Sequence, residues 1–218
     1  MTFFRQIKTK THARSQIQDL QTESHRNCHI CWLCYLLNFT EKSKENIAIM
    51  KSLELDSTGQ SCELLLFRNV KNGSEIRGKL MKGQIDATII NAELIPDLFQ
   101  IYVAANKACL SDSNGKKLTR TIHTEVLYNL SPSKSVTESL KIFGIQDSTK
   151  DLIVLVFKPE MIEELKGLVH GETVDLAQHE EIINWTKIAH LHGISEDLNH
   201  EMICDLAISK SAAKDLLL

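Results

Sequence analysis

The residue types best suited to metal chemistry stand near the start of the chain. His25, Cys28, Cys31 and Cys34 recur at every third position, with His29 between them. Thiolates at this spacing can wrap zinc or supply three ligands to an iron–sulfur cluster. A structural zinc site normally draws a second ligand pair from a distant knuckle, yet the next cysteines, Cys62 and Cys109, each stand alone. Trp32, Leu33, Tyr35, Leu36 and Leu37 interleave with the thiols, so the run also reads as a short sticky apolar segment. The expectation is no metal and no cofactor. A metal- or redox-active protein built on Cys28, Cys31 and Cys34 is the rival from another class.

Catalytic constellations are otherwise missing. His190 and His192 lie two residues apart, about 200° from one another on a helix, and read as two surface histidines. The carboxylate pairs Glu163/Glu164 and Glu180/Glu181 suit solvated faces of amphipathic helices. The chain has no Gly-x-x-x-x-Gly-Lys-Ser/Thr, Gly-x-Gly-x-x-Gly, His-Glu-x-x-His or Gly-x-Ser-x-Gly run. No enzyme is expected. The remaining chemistry is cationic: Lys107, then Lys116, Lys117 and Arg120 around a turn at Gly115. A helix–turn–strand unit would gather these charges into a phosphate-tracking patch. Tyr102 or His123 would be the base-stacking aromatic, although Tyr102 better fits a core position. An alternative is a patch that is simply solvated.

The elements that must position these groups follow from periodicity. Cys62–Phe67 suits a buried strand. A helix opens at Asn72-Gly-Ser74 and closes at Gly83. Residues 85–95 are ambiguous, with a boundary at Pro96. Asp97–Cys109 reads as a helix whose core stripe is Leu98, Tyr102, Ala105 and Cys109, with Lys107 about 180° from Leu98. Ile122, Val126, Tyr128 and Leu130 keep even spacing, which predicts a strand over Thr121–Leu130. Asn129-Leu-Ser131-Pro132 reads as turn chemistry. Ser135-Val-Thr-Glu138 is a capping box for a helix ending at Gly144. Asp151–Phe157 is a core strand, Pro159 suits the first turn of a further helix, and helical segments lie near 181–192 and 196–210. In the last of these, Leu198, Met202, Ile203 and Leu206 span about 140° and form the expected core face. Cys204 and Ile208 fall outside it and call for burial against something else. Strands and helices mix without βα alternation, so the expected fold is α+β: one compact domain, a mixed sheet packed against several helices.

Composition sets the limits. The 218 residues are 43% hydrophobic and 24% charged. The longest apolar run, Cys31–Leu37, is far short of the ~20 residues that span a bilayer. The start lacks a secretory pattern, which with six cysteines points to a reducing compartment, the cytoplasm and nucleus, where Asn-x-Ser/Thr triplets stay unmodified. A net charge of −3 divides into +4 over residues 1–52 and −7 over the rest. Residues 1–52 are therefore expected to form a loosely ordered basic extension on a body spanning 53–218. So acidic a body argues against a broad nucleic-acid footprint.

Leu64-Leu-Leu-Phe-Arg-Asn-Val-Lys-Asn72, Phe99-Gln-Ile-Tyr-Val-Ala-Ala-Asn-Lys-Ala108, Thr119–Pro132 and Ser139-Leu-Lys-Ile-Phe-Gly-Ile145, in this order, resemble the TPRKB family of PRPK-binding KEOPS subunits. Lys214-Asp-Leu-Leu217 looks like the family's C-terminus, and the likeness covers roughly 53–218. The resemblance implies a non-catalytic subunit of the assembly that makes threonylcarbamoyl adenosine in tRNA. It implies direct contact with PRPK, an atypical kinase-like ATPase, and indirect contact with the threonylcarbamoyl-transferase and other subunits. It further implies a hold on the tRNA 3′ end, here assigned to Lys107, Lys116, Lys117 and Arg120. The kinase face is assigned to the last helix and tail through Leu206, Ile208 and Leu216. The alternative within the binding class is a kinase-regulating interactor with no RNA contact.

Overall fold

The computed structural model describes residues 50–55 and 58–215. Residues 1–49 of the expected extension, with its Cys28, Cys31 and Cys34 run, and Leu216 at the other end lie outside the described residues. The described residues fall in one compact unit, Ile47–Leu218.

Among the described residues, five strands form one sheet: β1 (Met50–Leu55), β2 (Gln60–Arg68), β3 (Thr88–Asn91), β4 (Leu152–Val156) and β5 (Glu172–Val174). The order is β1–β2–β4–β3, and β5 pairs with β2 beyond the end of β1. Every pairing is antiparallel, so the sheet is not the mixed one expected from sequence. β1 and β2 form a hairpin, for which antiparallel pairing is the only geometry a short loop permits. β1 begins at Met50, three residues before the boundary drawn from composition at Leu53.

β4 is apolar at all five positions and fully buried, because helices cover both faces of the sheet. On one face Leu65, Val154 and Ile89 sit in register across three strands. With Phe67, Leu152 and Val156 they pack on Ile76 of helix α1 (Gly73–Met81) and on Ile162 and Leu165 of α5 (Ile162–Leu168). The alternate residues, Leu64, Leu66, Ile153, Leu155 and Ile90, point to the other face. There α2 (Leu98–Ser113) packs on β1, and α3 (Ile122–Leu130) packs on β3. Each buried Leu, Ile or Val contributes about 1.5–3 kcal/mol, so this layered core dominates the fold's stability.

Outside α2 and α3 lie α4 (Val136–Phe143), α6 (Trp185–His192) and α7 (His200–Ala213). α6 and α7 share a small core of Ile188, Ala189, Ile194, Ile203 and Ala207. The link back to α2 and α3 is polar. Ser211 Oγ donates to the Leu130 carbonyl at 2.9 Å. Gln100 Nε2 donates to the same carbonyl at 3.1 Å and to Ser211 Oγ at 3.2 Å.

Most element expectations are met. Asp97 caps α2 through the Phe99 amide at 2.7 Å, and Ser135 caps α4 through the Glu138 amide at 3.3 Å. Pro159 opens a short 3-10 turn before α5. Gly83 adopts φ +69° after α1. Gly144 follows α4 for a different reason from a left-handed turn: a Cβ there would lie 2.5 Å from the Leu140 carbonyl oxygen.

Four expectations are corrected. Thr121–Leu130 is helix α3, not a strand: Ile122, Val126 and Leu130 sit four apart, which fits one helical face as well as even spacing fits a strand. Asn129 is inside that helix, buried, and donates to the Ala104 carbonyl at 3.3 Å instead of making a turn. His192 is only 4% exposed, since it shares the inward face of α6 with Ile188; His190 stays on the surface. On α7 the expected face holds only in part. Ile203 points inward as expected, with Ala207, Ile208 and Ser211, and Leu198 packs against the same core, whereas Met202 and Leu206 are exposed.

Candidate functional site

The four candidate cations lie on and after α2. Residues 114–121 turn back from its end and enter α3 at Thr121. Glu125, in the first turn of α3, pins this segment. Its buried carboxylate accepts from the Leu118 amide at 3.3 Å, the Thr119 amide at 2.8 Å and the Thr119 hydroxyl at 2.7 Å. Lys116 and Arg120 on the pinned segment are exposed and have no carboxylate partner among the described residues.

Lys107 and Lys117 are engaged. Lys117 Nζ lies 2.5 Å from Asp112 Oδ1, an ion pair with both side chains partly exposed. Lys107 pairs with Asp215 just beyond α7 and donates to the Ala212 carbonyl at 3.4 Å. Next to Asp215, the Lys214 side chain is buried. Its amine donates to the Tyr128 carbonyl, and to the Ser133 carbonyl at 3.4 Å, and sits 3.2 Å over the Tyr128 ring. Burial pushes this amine down to about 7, with Lys107 adding to the effect; the Asp215 and Glu125 carboxylates pull it back up. The ring face and the two carbonyls also favour the cation, so geometry and burial oppose one another here. Through Lys214, the carboxylates of Asp215 and Glu125 and the ammonium of Lys107 share one electrostatic neighbourhood. The basic patch therefore has an acidic lining. Sequence reasoning missed Asp112, Glu125, Lys214 and Asp215. The available signal was Glu125, a carboxylate inside the apolar Ile122–Leu130 segment.

Neither aromatic is free to stack on a base. Tyr102 is 3% exposed and stacks on Phe99. His123 holds Asp86 Oδ1 through Nε2 at 2.8 Å and Thr88 Oγ1 through Nδ1 at 3.0 Å, and its ring meets Phe157. Burial lowers the His123 pKa, with the Asp86 hydrogen bond acting against that. Asp86 also bonds Lys158 at 2.6 Å, so the group clamps α3 to the sheet.

On α7, Leu206 and Met202 are 39% and 47% exposed, one turn apart, with Glu201 and Asp205 beside them. Ile208, expected on the partner face, is 5% exposed and belongs to this chain's own interior. Among the described residues, no three His, Cys, Asp or Glu side chains gather as a metal site, and no helix is long and apolar enough to cross a membrane.

A family model described as kinase binding protein CGI-121 matches residues 67–215, from β2 to the end of the described chain. The chain belongs to the CGI-121 family. That span includes the cations, their acidic lining and the exposed face of α7. Among CGI-121 relatives, the EKC/KEOPS complex subunit TPRKB of Danio rerio is 36% identical over 157 residues, 70% of this chain and 90% of the relative. The EKC/KEOPS complex subunit CGI121 of Kluyveromyces lactis is 35% identical over 117 residues, 52% of this chain and 73% of the relative. That of Candida glabrata is 29% identical over 141 residues, 63% and 78% respectively.

Proposed function

We propose that this chain is a non-catalytic KEOPS subunit that works by contact, in the cytoplasm and nucleus. It binds the PRPK-type kinase-like ATPase directly, reaches the threonylcarbamoyl-transferase subunit only through it, and supports threonylcarbamoyl adenosine formation by holding the tRNA 3′ end. Membership of a family described as kinase binding, with relatives named as KEOPS subunits, supports the assembly. The observation that carries the kinase face is the exposed Met202–Leu206 pair on α7, since apolar side chains a turn apart and facing water are suited to a partner's groove. Exposed Lys116 and Arg120, with Lys107 and Lys117 beside them, support the tRNA contact.

One set of variants tests both faces. Leu206→Arg abolishes co-purification with PRPK and leaves the thermal midpoint nearly unchanged, whereas Ile208→Arg lowers the midpoint by burying a charge. Lys116→Glu/Arg120→Glu keeps PRPK and loses tRNA crosslinking. Retention of PRPK by Leu206→Arg rejects the α7 face, and unchanged crosslinking rejects the cations.

A further inference from the structure

Resting on the tRNA reading above, the geometry points to a built-in competitor at the same site: we infer that Asp112 and Asp215 stand in for phosphates, each occupying a lysine that an RNA backbone must claim. Lys117 is held by Asp112 at 2.5 Å and Lys107 by Asp215, while Lys116 and Arg120 carry no such partner. The four cations are thus of two kinds, two open and two occupied. Both occupied pairs are solvent-accessible, with lysine side chains 25–28% exposed and carboxylates 42–43% exposed. An incoming phosphate can therefore exchange for either carboxylate without opening the core.

The exchange is close to neutral in energy. A surface ion pair is worth little, and the ammonium meets one anionic oxygen in place of another. The open cations, Lys116 and Arg120, make first contact; the segment bearing them is fixed by Glu125, so the encounter costs little ordering. Once the backbone lies against them, each carboxylate it displaces gains water and each lysine gains a phosphate. The consequence is a site that holds RNA weakly until the strand is presented at close range, as within an assembly. It also keeps so acidic a body from collecting nucleic acid indiscriminately. Asp215 adds a link to the α7 end, because displacing it frees the residue next to buried Lys214.

The test uses the full chain and an unmodified tRNA transcript, read by fluorescence anisotropy at low and moderate salt. Asp112→Asn/Asp215→Asn tightens binding by roughly two- to fivefold for each carboxylate removed, with the gain shrinking as salt rises. Glu160→Gln/Glu164→Gln removes two exposed acids from the opposite side of the sheet and leaves affinity at the wild-type value. Asp112→Asn alone gives its own two- to fivefold share should Asp215→Asn loosen the end of α7. Unchanged or weaker binding by the Asp112 variant overturns the proposal, as does an equal gain from the Glu160/Glu164 control, which would assign the effect to net charge. If instead Lys116→Glu/Arg120→Glu binds tRNA as the wild type does, the nucleic-acid reading itself falls.

Discussion

Both ring nitrogens of His192 are buried without a hydrogen-bond partner. Burial, with the Lys210 ammonium nearby, lowers its pKa to about 4 from 6.5. The folded chain therefore takes up this proton less readily than the unfolded one between these two values. The stabilising contribution is full above pH 6.5 and is lost as pH falls towards 4, up to about 3 kcal/mol. Replacing His192 with Leu is expected to flatten the fall of the thermal midpoint between pH 7 and pH 5. A variant that loses stability on acidification as steeply as the wild type would clear His192 of that role. His190 sits two residues earlier on the same helix and faces water.

Helix α3 carries the candidate site, because it holds Glu125 beneath the basic segment and Tyr128 beneath Lys214. Its start is fixed by Thr121, whose hydroxyl accepts from the Thr124 amide at 3.2 Å while Thr124 Oγ1 accepts from the Thr121 amide at 3.1 Å. Losing such a cap costs about 1 kcal/mol. Thr121→Ala should show that loss in urea unfolding. Glu125→Ala should cost about 2–3 kcal/mol, because it removes the charged acceptor shared by the Leu118 and Thr119 amides and the Thr119 hydroxyl. Equal costs for the two variants would mean that the segment is held by something other than Glu125. The alternation that suggests a strand here is a coincidence of two periods. Residues 122, 126 and 130 are even-spaced and also four apart, and only the cap and the buried Glu125 separate the two readings.

The described residues form an antiparallel sheet with a helix layer on each face, and β1 is at an outer position in the order. Met50, Lys51 and Ser52 pair with Leu65, Leu64 and Glu63. A truncation at the composition boundary, removing residues 1–52, therefore takes away half of β1. A truncation removing 1–46 leaves the strand whole. The shorter body should melt several degrees below the longer one. Matching midpoints would show that the first half of β1 adds nothing to the sheet.

Periodicity and capping residues determined the apolar strands β2 and β4, helix α2, the Ser135 cap and the α+β class, because each rests on neighbours within a few positions. The absence of catalytic motifs and the basic run 116–120 were equally plain in the residues themselves. Tertiary packing decided the rest. Whether Ile208 or Leu206 faces water depends on which side of α7 meets α6, and a helix whose apolar groups surround its girdle does not encode that choice. Whether Lys107 is free depends on Asp215, more than a hundred residues further along. Charge pairing and burial act through space between segments far apart in the chain, and only the folded chain brings them together.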